Sequence, residues 1–331
     1  MYAHFRGDGQ AELSKAAGLV RSSTLTVIAG IGASLNACKA LENLLCAQGV
    51  NAIAIEAGEM LHYRHDRYRE AVFVLVSRSG ESVEVVKLLS MLKGRVPVIG
   101  VTNEPDSALV RAADVVLDVR SLPDEMVAIQ SYTGTLLTLF LLAMTANDAL
   151  DAAYREVDAL MVRMAPWIDS SLRAIRGWDS FLEGSPSIYA LGRGPSVGSA
   201  LQAALLFGEV SKAPAVGMAV ATFRHGPIEV VDSGFKGLIF AASGRTRDLN
   251  LALARDLQRF GGTVRVIGAH EESDSELQWI ETPPCSEGLA PLVEIIPVQV
   301  AAMRLAELKG IEVGSFRFAP KITTNEERIG S

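Results

Sequence analysis

Apolar residues recur along this chain in short blocks separated by segments with helical spacing. Val72, Phe73, Val74, Leu75 and Val76 form one uninterrupted block, which ends in Ser77-Arg78-Ser79-Gly80-Glu81-Ser82. A block of that length closed by turn-forming residues reads as a strand buried on both faces. Helical spacing follows over residues 82–92. The same alternation fills the first half. It predicts strands at 25–29, 51–55, 72–76, 97–101 and 115–119, and helices at 11–21, 35–48, 82–92 and 107–112. Residues 56–67 are polar and read as a loop. Such alternation implies an α/β fold with a mainly parallel sheet flanked by helices. Ligands of such sheets sit at the carboxyl ends of the strands, where the turns at 30–34 and 77–82 fall. Residues 131–144 and 150–176 then read as long helices.

The second half repeats the first. Residues 187–194, SIYALGRG, echo VIAGIGAS at 27–34; Gly192 and Gly194 follow Gly30 and Gly32 at a spacing of 162 (192 − 30), and Ser196 follows Ser34. LIFAASGRT at 238–246 echoes VLVSRSGES at 74–82, with Gly244 at 164 from Gly80 (244 − 80). Two anchors at nearly one offset indicate a duplicated α/β domain, with boundaries at 1–150 and 151–331. The copies differ chemically. Ala241 and Ala242 stand where the first copy has Ser77 and Arg78, so the first copy has the richer hydroxyl loop.

Composition narrows the class. A length of 331 residues, 49% of them hydrophobic, fills two ordinary cores. Net charge is −7 with no basic run, which argues against nucleic-acid or membrane-surface binding. Cys38, Cys46 and Cys285 have neither disulfide-framework nor zinc spacing, as expected for a reducing cytoplasm. The N-terminus has no apolar signal core, and the longest apolar run, 136–143, is too short to span a bilayer.

The candidate chemistry begins at residues 77–82. Backbone N–H groups of such a turn, with the first turn of the next helix, can cradle a phosphate, and three serine hydroxyls can complete the shell. The competing reading is a plain Ser/Gly loop. Glu209, in ALLFGEV, is either an exposed face residue or a partly desolvated general base. His225, before Gly226-Pro227, fits a cap, an interface residue or an acid/base group. Lys321 lies in an aperiodic tail, where lysines are usually solvated. His62 and His65 have no third ligand nearby, so no metal site is expected. The Gly-x-Gly turns lack a complete dinucleotide fingerprint, because Leu35 and Val197 follow where a third glycine would stand.

Taken together, these motifs resemble the double sugar-isomerase-domain (SIS) family, in particular the isomerase half of glucosamine-6-phosphate synthase. The resemblance covers nearly the whole chain. Residues 77–82 match the family's Ser-x-Ser-Gly-Glu-Ser loop, His225-Gly226-Pro227 its His-Gly-Pro motif, and Glu209 its glutamate sixteen residues upstream. Lys321, Thr324 and Glu326 match its C-terminal Lys-x-x-Thr-x-Glu pattern. The resemblance implies two tandem, flavodoxin-like three-layer domains. It implies phosphate binding by Ser34, Ser77, Arg78, Ser79, Gly80 and Ser82, with Gly32, Ala33 and Ser131 as further substrate contacts. It implies proton transfer between C1 and C2 by Glu209, with His225 and Lys321 assisting ring opening. No cofactor is implied. A homodimer that shares its active site is, because His225 in relatives reaches the site from the neighbouring subunit. Leu206, Thr222 and Ile129-Gln130 depart from the family pattern, standing where relatives often carry Lys, Glu and Thr-Lys. No glutaminase segment or N-terminal cysteine is expected. The expected function is therefore a phosphosugar isomerase or deaminase acting on a hexose or amino-sugar 6-phosphate. A non-catalytic sugar-phosphate sensor and a fructosamine-6-phosphate deglycase are the alternatives.

Overall fold

A computed structural model describes residues 1–184, 187–270 and 276–327. The chain divides into two units: Met1–Ala153 together with the tail from Phe316, and Tyr154–Ser315. The tail, which the sequence reading placed with the second domain, thus packs with the first.

In the first unit the strands are β1 (Thr26–Gly30), β2 (Ala52–Glu56), β3 (Val72–Val76), β4 (Val98–Thr102) and β5 (Val115–Asp118). All neighbours are parallel, in the order β2-β1-β3-β4-β5. The strand at 72–76 is the central one and is buried at every position. Phe73 and Leu75 pack on one face against Val85, Leu88, Leu89 and Leu92 of helix Val83–Leu92. Each such side chain contributes about 1.5–3 kcal/mol when fully buried. Helices Gln10–Ser22 and Ala33–Ala47 pack against Gln130–Ala146. After β1 the chain steps outward to β2 and returns to β3, so the strand order reverses between β1 and β3. That switch opens a crevice at the carboxyl edge, between the 30–34 and 77–82 turns.

The second unit repeats this plan with β6 (Ile188–Gly192), β7 (Ala215–Ala219), β8 (Lys236–Phe240), β9 (Thr263–Gly268) and β10 (Trp279–Glu281). The order β10-β9-β8-β6-β7 is the same topology, again all parallel. Helices Ser196–Ser211, Arg247–Arg259 and Ala290–Leu308 take the places of Ala33–Ala47, Val83–Leu92 and Gln130–Ala146. The duplicated parallel α/β architecture is as the sequence pattern implied.

Local expectations fail where tertiary contacts override polarity. Residues 56–67 are not a loop but helix Ala57–Tyr63 and a 3₁₀ turn, His65–Arg67. Ala57, Met60 and Leu61 bury one face, and the Glu56 carboxylate caps the helix by accepting from Glu59 N at 2.8 Å. The small apolar stretch before residue 220 forms edge strand β7, and Val220–Arg224 is a short helix. Among the described residues, no helix is long and apolar enough to cross a membrane.

Candidate functional site

The crevice of the first unit is lined by two turns. Gly32, at φ +55°, turns the chain into helix Ala33–Ala47, which places Ser34 in its first turn. The second turn, residues 77–82, is held from below. Ser77 N donates to Val101 O at 3.0 Å, and the Arg78 carbonyl accepts from Asn103 N and from Thr102 Oγ1, both at 3.1 Å. Gly80 N donates to Ser77 Oγ at 3.1 Å, Glu81 N to Ser79 Oγ at 3.2 Å, and Ser77 Oγ lies 3.4 Å from Ser82 Oγ. Ser77 and Ser79 are buried. The loop is therefore a turn at a strand end, fixed in part by its own serine hydroxyls, rather than a loose connection.

Arg78 faces two neighbours. Its guanidinium donates to Lys321 O at 3.1 Å and to Met126 O at 3.5 Å. Two further links hold the tail to helix Val83–Leu92: Val83 N donates to Thr323 O at 3.1 Å, and Lys87 Nζ to Glu326 Oε2 at 2.6 Å. His62 Nε2 lies 3.4 Å from the other Glu326 oxygen. This pairing, dominated by Lys87, holds the Glu326 carboxyl below its ordinary range. Arg78, Ser79, Ser131 and Lys321 border a cavity of about 400 Å³, whose wall also carries Glu81, Glu104, Asp106 and Asp124. A smaller cavity of about 10 Å³ lies among Ala33, Ser34, Arg78, Ala128, Ser131, Tyr132 and Thr135. The first unit thus gathers Gly32, Ala33, Ser34, residues 77–82, Ser131 and Lys321 at one edge. Local reading missed Asp124. Its carboxylate accepts from the backbone N–H of Ile129, Gln130 and Ser131 and from Ser131 Oγ at 2.5 Å, capping helix Gln130–Ala146 from outside it.

In the second unit, Glu209 is half-buried in the last turn of Ser196–Ser211. That helix end is fastened by Lys212, in the left-handed conformation at φ +51°. Its ammonium reaches the Glu209 carbonyl and, at 2.5 Å, Ser315 O. A cation there also complements the negative end of the helix dipole. His225 is exposed and follows the short helix Val220–Arg224. Gly226, at φ +133°, then opens the Pro227–Val230 turn.

The sequence reading also passed over Glu294, although its signal was visible: an acid within the apolar first half of a helix. Its side chain accepts from Ser196 Oγ at 2.8 Å and from Ser199 Oγ at 2.6 Å, and the residue is 1% exposed. Burial pushes its pKa up to about 7, partly opposed by the two hydroxyls. Between an ordinary value of 4.5 and this one, the folded chain keeps a proton the unfolded chain has released. The associated stabilisation is complete below the lower value and lost as pH rises through the upper one, about 3 kcal/mol in all. Urea melts at pH 5 and pH 8 should therefore show wild type losing about 2–3 kcal/mol relative to Glu294→Gln, most of the total, since the loss begins at 4.5. Parallel pH profiles would refute this.

Comparison with known proteins places these features. Residues 19–147 and 181–307 each match the SIS domain family model. A glutamine–fructose-6-phosphate aminotransferase (isomerizing) from Pyrococcus horikoshii is 27% identical over 310 residues, covering 90% of this chain and 51% of that protein. The chain thus spans about half the length of such relatives. Among solved structures, the C-terminal domain of glucosamine-fructose-6-phosphate aminotransferase from Francisella tularensis superposes with TM-score 0.79 at 20% identity, covering 93% of this chain and 89% of that one. Glucosamine-6-phosphate deaminase from Thermotoga maritima gives 0.77 at 21%, covering 96% and 99%. At these identities the structural likeness speaks for the fold.

Proposed function

The chain belongs to the SIS domain family, and from that premise we propose that it is an enzyme of phosphosugar metabolism. It moves a proton between C1 and C2 of a hexose or amino-sugar 6-phosphate, as an isomerase or deaminase. The observation that carries this reading is the fixed, hydroxyl-lined turn at 77–82, joined in one chain to Glu209, His225 and Lys321 at family spacing. Ser34, Ser77, Ser79 and Ser82 take the phosphate, whose binding energy orients the carbon chain. Glu209 acts as the general base, and His225 and Lys321 assist ring opening. The carboxylates along the larger cavity accept hydrogens from sugar hydroxyls or an ammonium group, which suits an amino sugar. The names of the aminotransferase relative and the deaminase neighbour support the same substrate class. We also propose a homodimer in which the exposed His225 serves a neighbouring site.

A non-catalytic binding role is favoured by one specific feature. Leu206, fully buried, and Thr222, exposed, occupy places where the family resemblance implies charged groups. One experiment separates the readings. Protein incubated in D₂O with fructose 6-phosphate, glucosamine 6-phosphate or their galacto isomers should incorporate deuterium at C1 or C2, or release ammonia. Binding without exchange or release for any of them would replace the enzyme reading with the sensor.

A further inference from the structure

The two halves of the chain share a fold and a pair of turns, yet the second half fills its own crevice. Ser196 opens helix Ser196–Ser211 after β6, as Ser34 lies in the first turn of Ala33–Ala47 after β1. Gly244 follows β8 as Gly80 follows β3. In the first unit the space facing Ser34 is bordered by Ala33, Arg78, Ser131 and Thr135, none of which brings a carboxyl group. In the second unit the matching place holds Glu294, with one oxygen on Ser196 and the other on Ser199.

The spacing identifies what changed. Glu294 lies 163 residues after Ser131 (294 − 131), between the offsets of the two glycine anchors. Glu287 lies 163 after Asp124 (287 − 124), so an acid at that position is common to both halves. The Glu287 side chain lies against Gly244, where an added Cβ would come within 2.4 Å of its carboxyl carbon. Aligned by these anchors or by their helix starts, 160 residues apart (290 − 130), the first half has Ser131 or Gly134 where the second has Glu294, and neither Ser131 nor Gly134 carries a carboxyl group. A cavity of about 10 Å³ beside Glu294 is lined by Ala242, Ser243, Thr282 and Cys285 among others; the space facing Ser34 in the first unit has the same volume, so the two differ in the carboxyl group rather than in free volume. The proposed base is also distant from this crevice. Glu209 sits thirteen residues along the helix from Ser196 (209 − 196), about 20 Å at 1.5 Å per residue.

We propose that the second crevice is a phosphate-type anion site permanently occupied by the chain's own Glu294 carboxyl group. Two oxygens on one carbon, each accepting from a serine hydroxyl at a helix start, take the place of two oxygens of a phosphoryl group. The duplication has thus kept the shape of the site in both halves and closed one of them with a covalently attached ligand. An internal ligand at this effective concentration excludes free phosphate under any ordinary condition.

The test restores a first-half residue in the full-length chain. Inorganic phosphate is titrated by calorimetry into wild type, Glu294→Ser and the double variant Glu294→Ser/Ser196→Ala. Glu294→Ser is expected to bind one phosphate more per chain than wild type, and the double variant to lose that increment. An unchanged count in folded Glu294→Ser overturns the proposal. Removal of a buried partner can also unfold the chain. In that case, phosphate should restore the folded circular-dichroism signal by mass action, and failure to restore it overturns the proposal equally. The wild-type count reports separately on the first crevice. A wild type that binds no phosphate would count against the proposed sugar-phosphate site, while a gained site in Glu294→Ser would still uphold this inference.

Discussion

Glu209→Gln is expected to lower kcat on the productive sugar phosphate by about 10²–10⁴-fold while leaving phosphate-ester affinity within about threefold, as removal of a general base does. The substitution is nearly isosteric. It removes the proton-accepting oxygen and preserves the backbone carbonyl that Lys212 holds, so the helix end stays fastened. Phosphate affinity is expected to survive because the Ser77–Ser79 turn is held within its own unit by hydrogen bonds to Val101, Thr102 and Asn103. Steady-state kinetics with calorimetric binding of the same ester gives both numbers. A Glu209→Gln chain within about tenfold of wild-type kcat would remove Glu209 from the mechanism. Complementation extends the test. Mixed Glu209→Gln and His225→Ala chains should regain activity if His225 serves a neighbouring subunit, and inactive mixtures would contradict a shared site.

The second large effect is expected at Gly80. Gly80→Ala should destabilise the chain by about 2–5 kcal/mol and weaken phosphate-ester binding. Gly80 is left-handed at φ +62°, which costs a residue with a side chain about 1–2 kcal/mol. An added Cβ would also fall 2.2 Å from Ser107 Oγ and 2.4 Å from Ser107 Cβ, a clash that costs about a further 1–3 kcal/mol. Ser107 cannot easily move, because its hydroxyl caps helix Ala108–Ala112 by accepting from Val110 N. Relief would push the loop away from β4 and spread the hydroxyls of Ser77, Ser79 and Ser82. Urea denaturation gives the stability change, and adding Ser107→Gly to the Gly80→Ala variant should recover part of it. A Gly80→Ala chain within about 0.5 kcal/mol of wild type would show that the loop accommodates the methyl, contrary to this account.

The reach of the sequence varies by feature. The buried block at 72–76 and its serine turn were legible because five apolar residues and a Ser/Gly cluster are local signals. The duplication was legible because glycine turns leave fixed marks in both copies. Residues 56–67 misled, because their polarity hid a helix whose buried face rests on only Ala57, Met60 and Leu61. Strand β7 was missed because its five residues, only half-buried at a sheet edge, are small and include Gly217 and Ala219.

By itself the sequence determined the parallel α/β units, their duplication and the position of the hydroxyl-rich turn. Each is written in periodicity, turn chemistry or spacing, which act over a few residues or repeat as a unit. Tertiary structure alone decided which groups those turns meet. Arg78 donates to a carbonyl 243 residues away, Lys87 pairs with Glu326, and Ser196 meets a carboxyl 98 residues away. Such contacts depend on where the sheet order brings distant segments together, and no local window of the chain carries that information. The first crevice remains lined by hydroxyls and the second is filled by Glu294 for this reason, although the turns that frame them look alike along the chain.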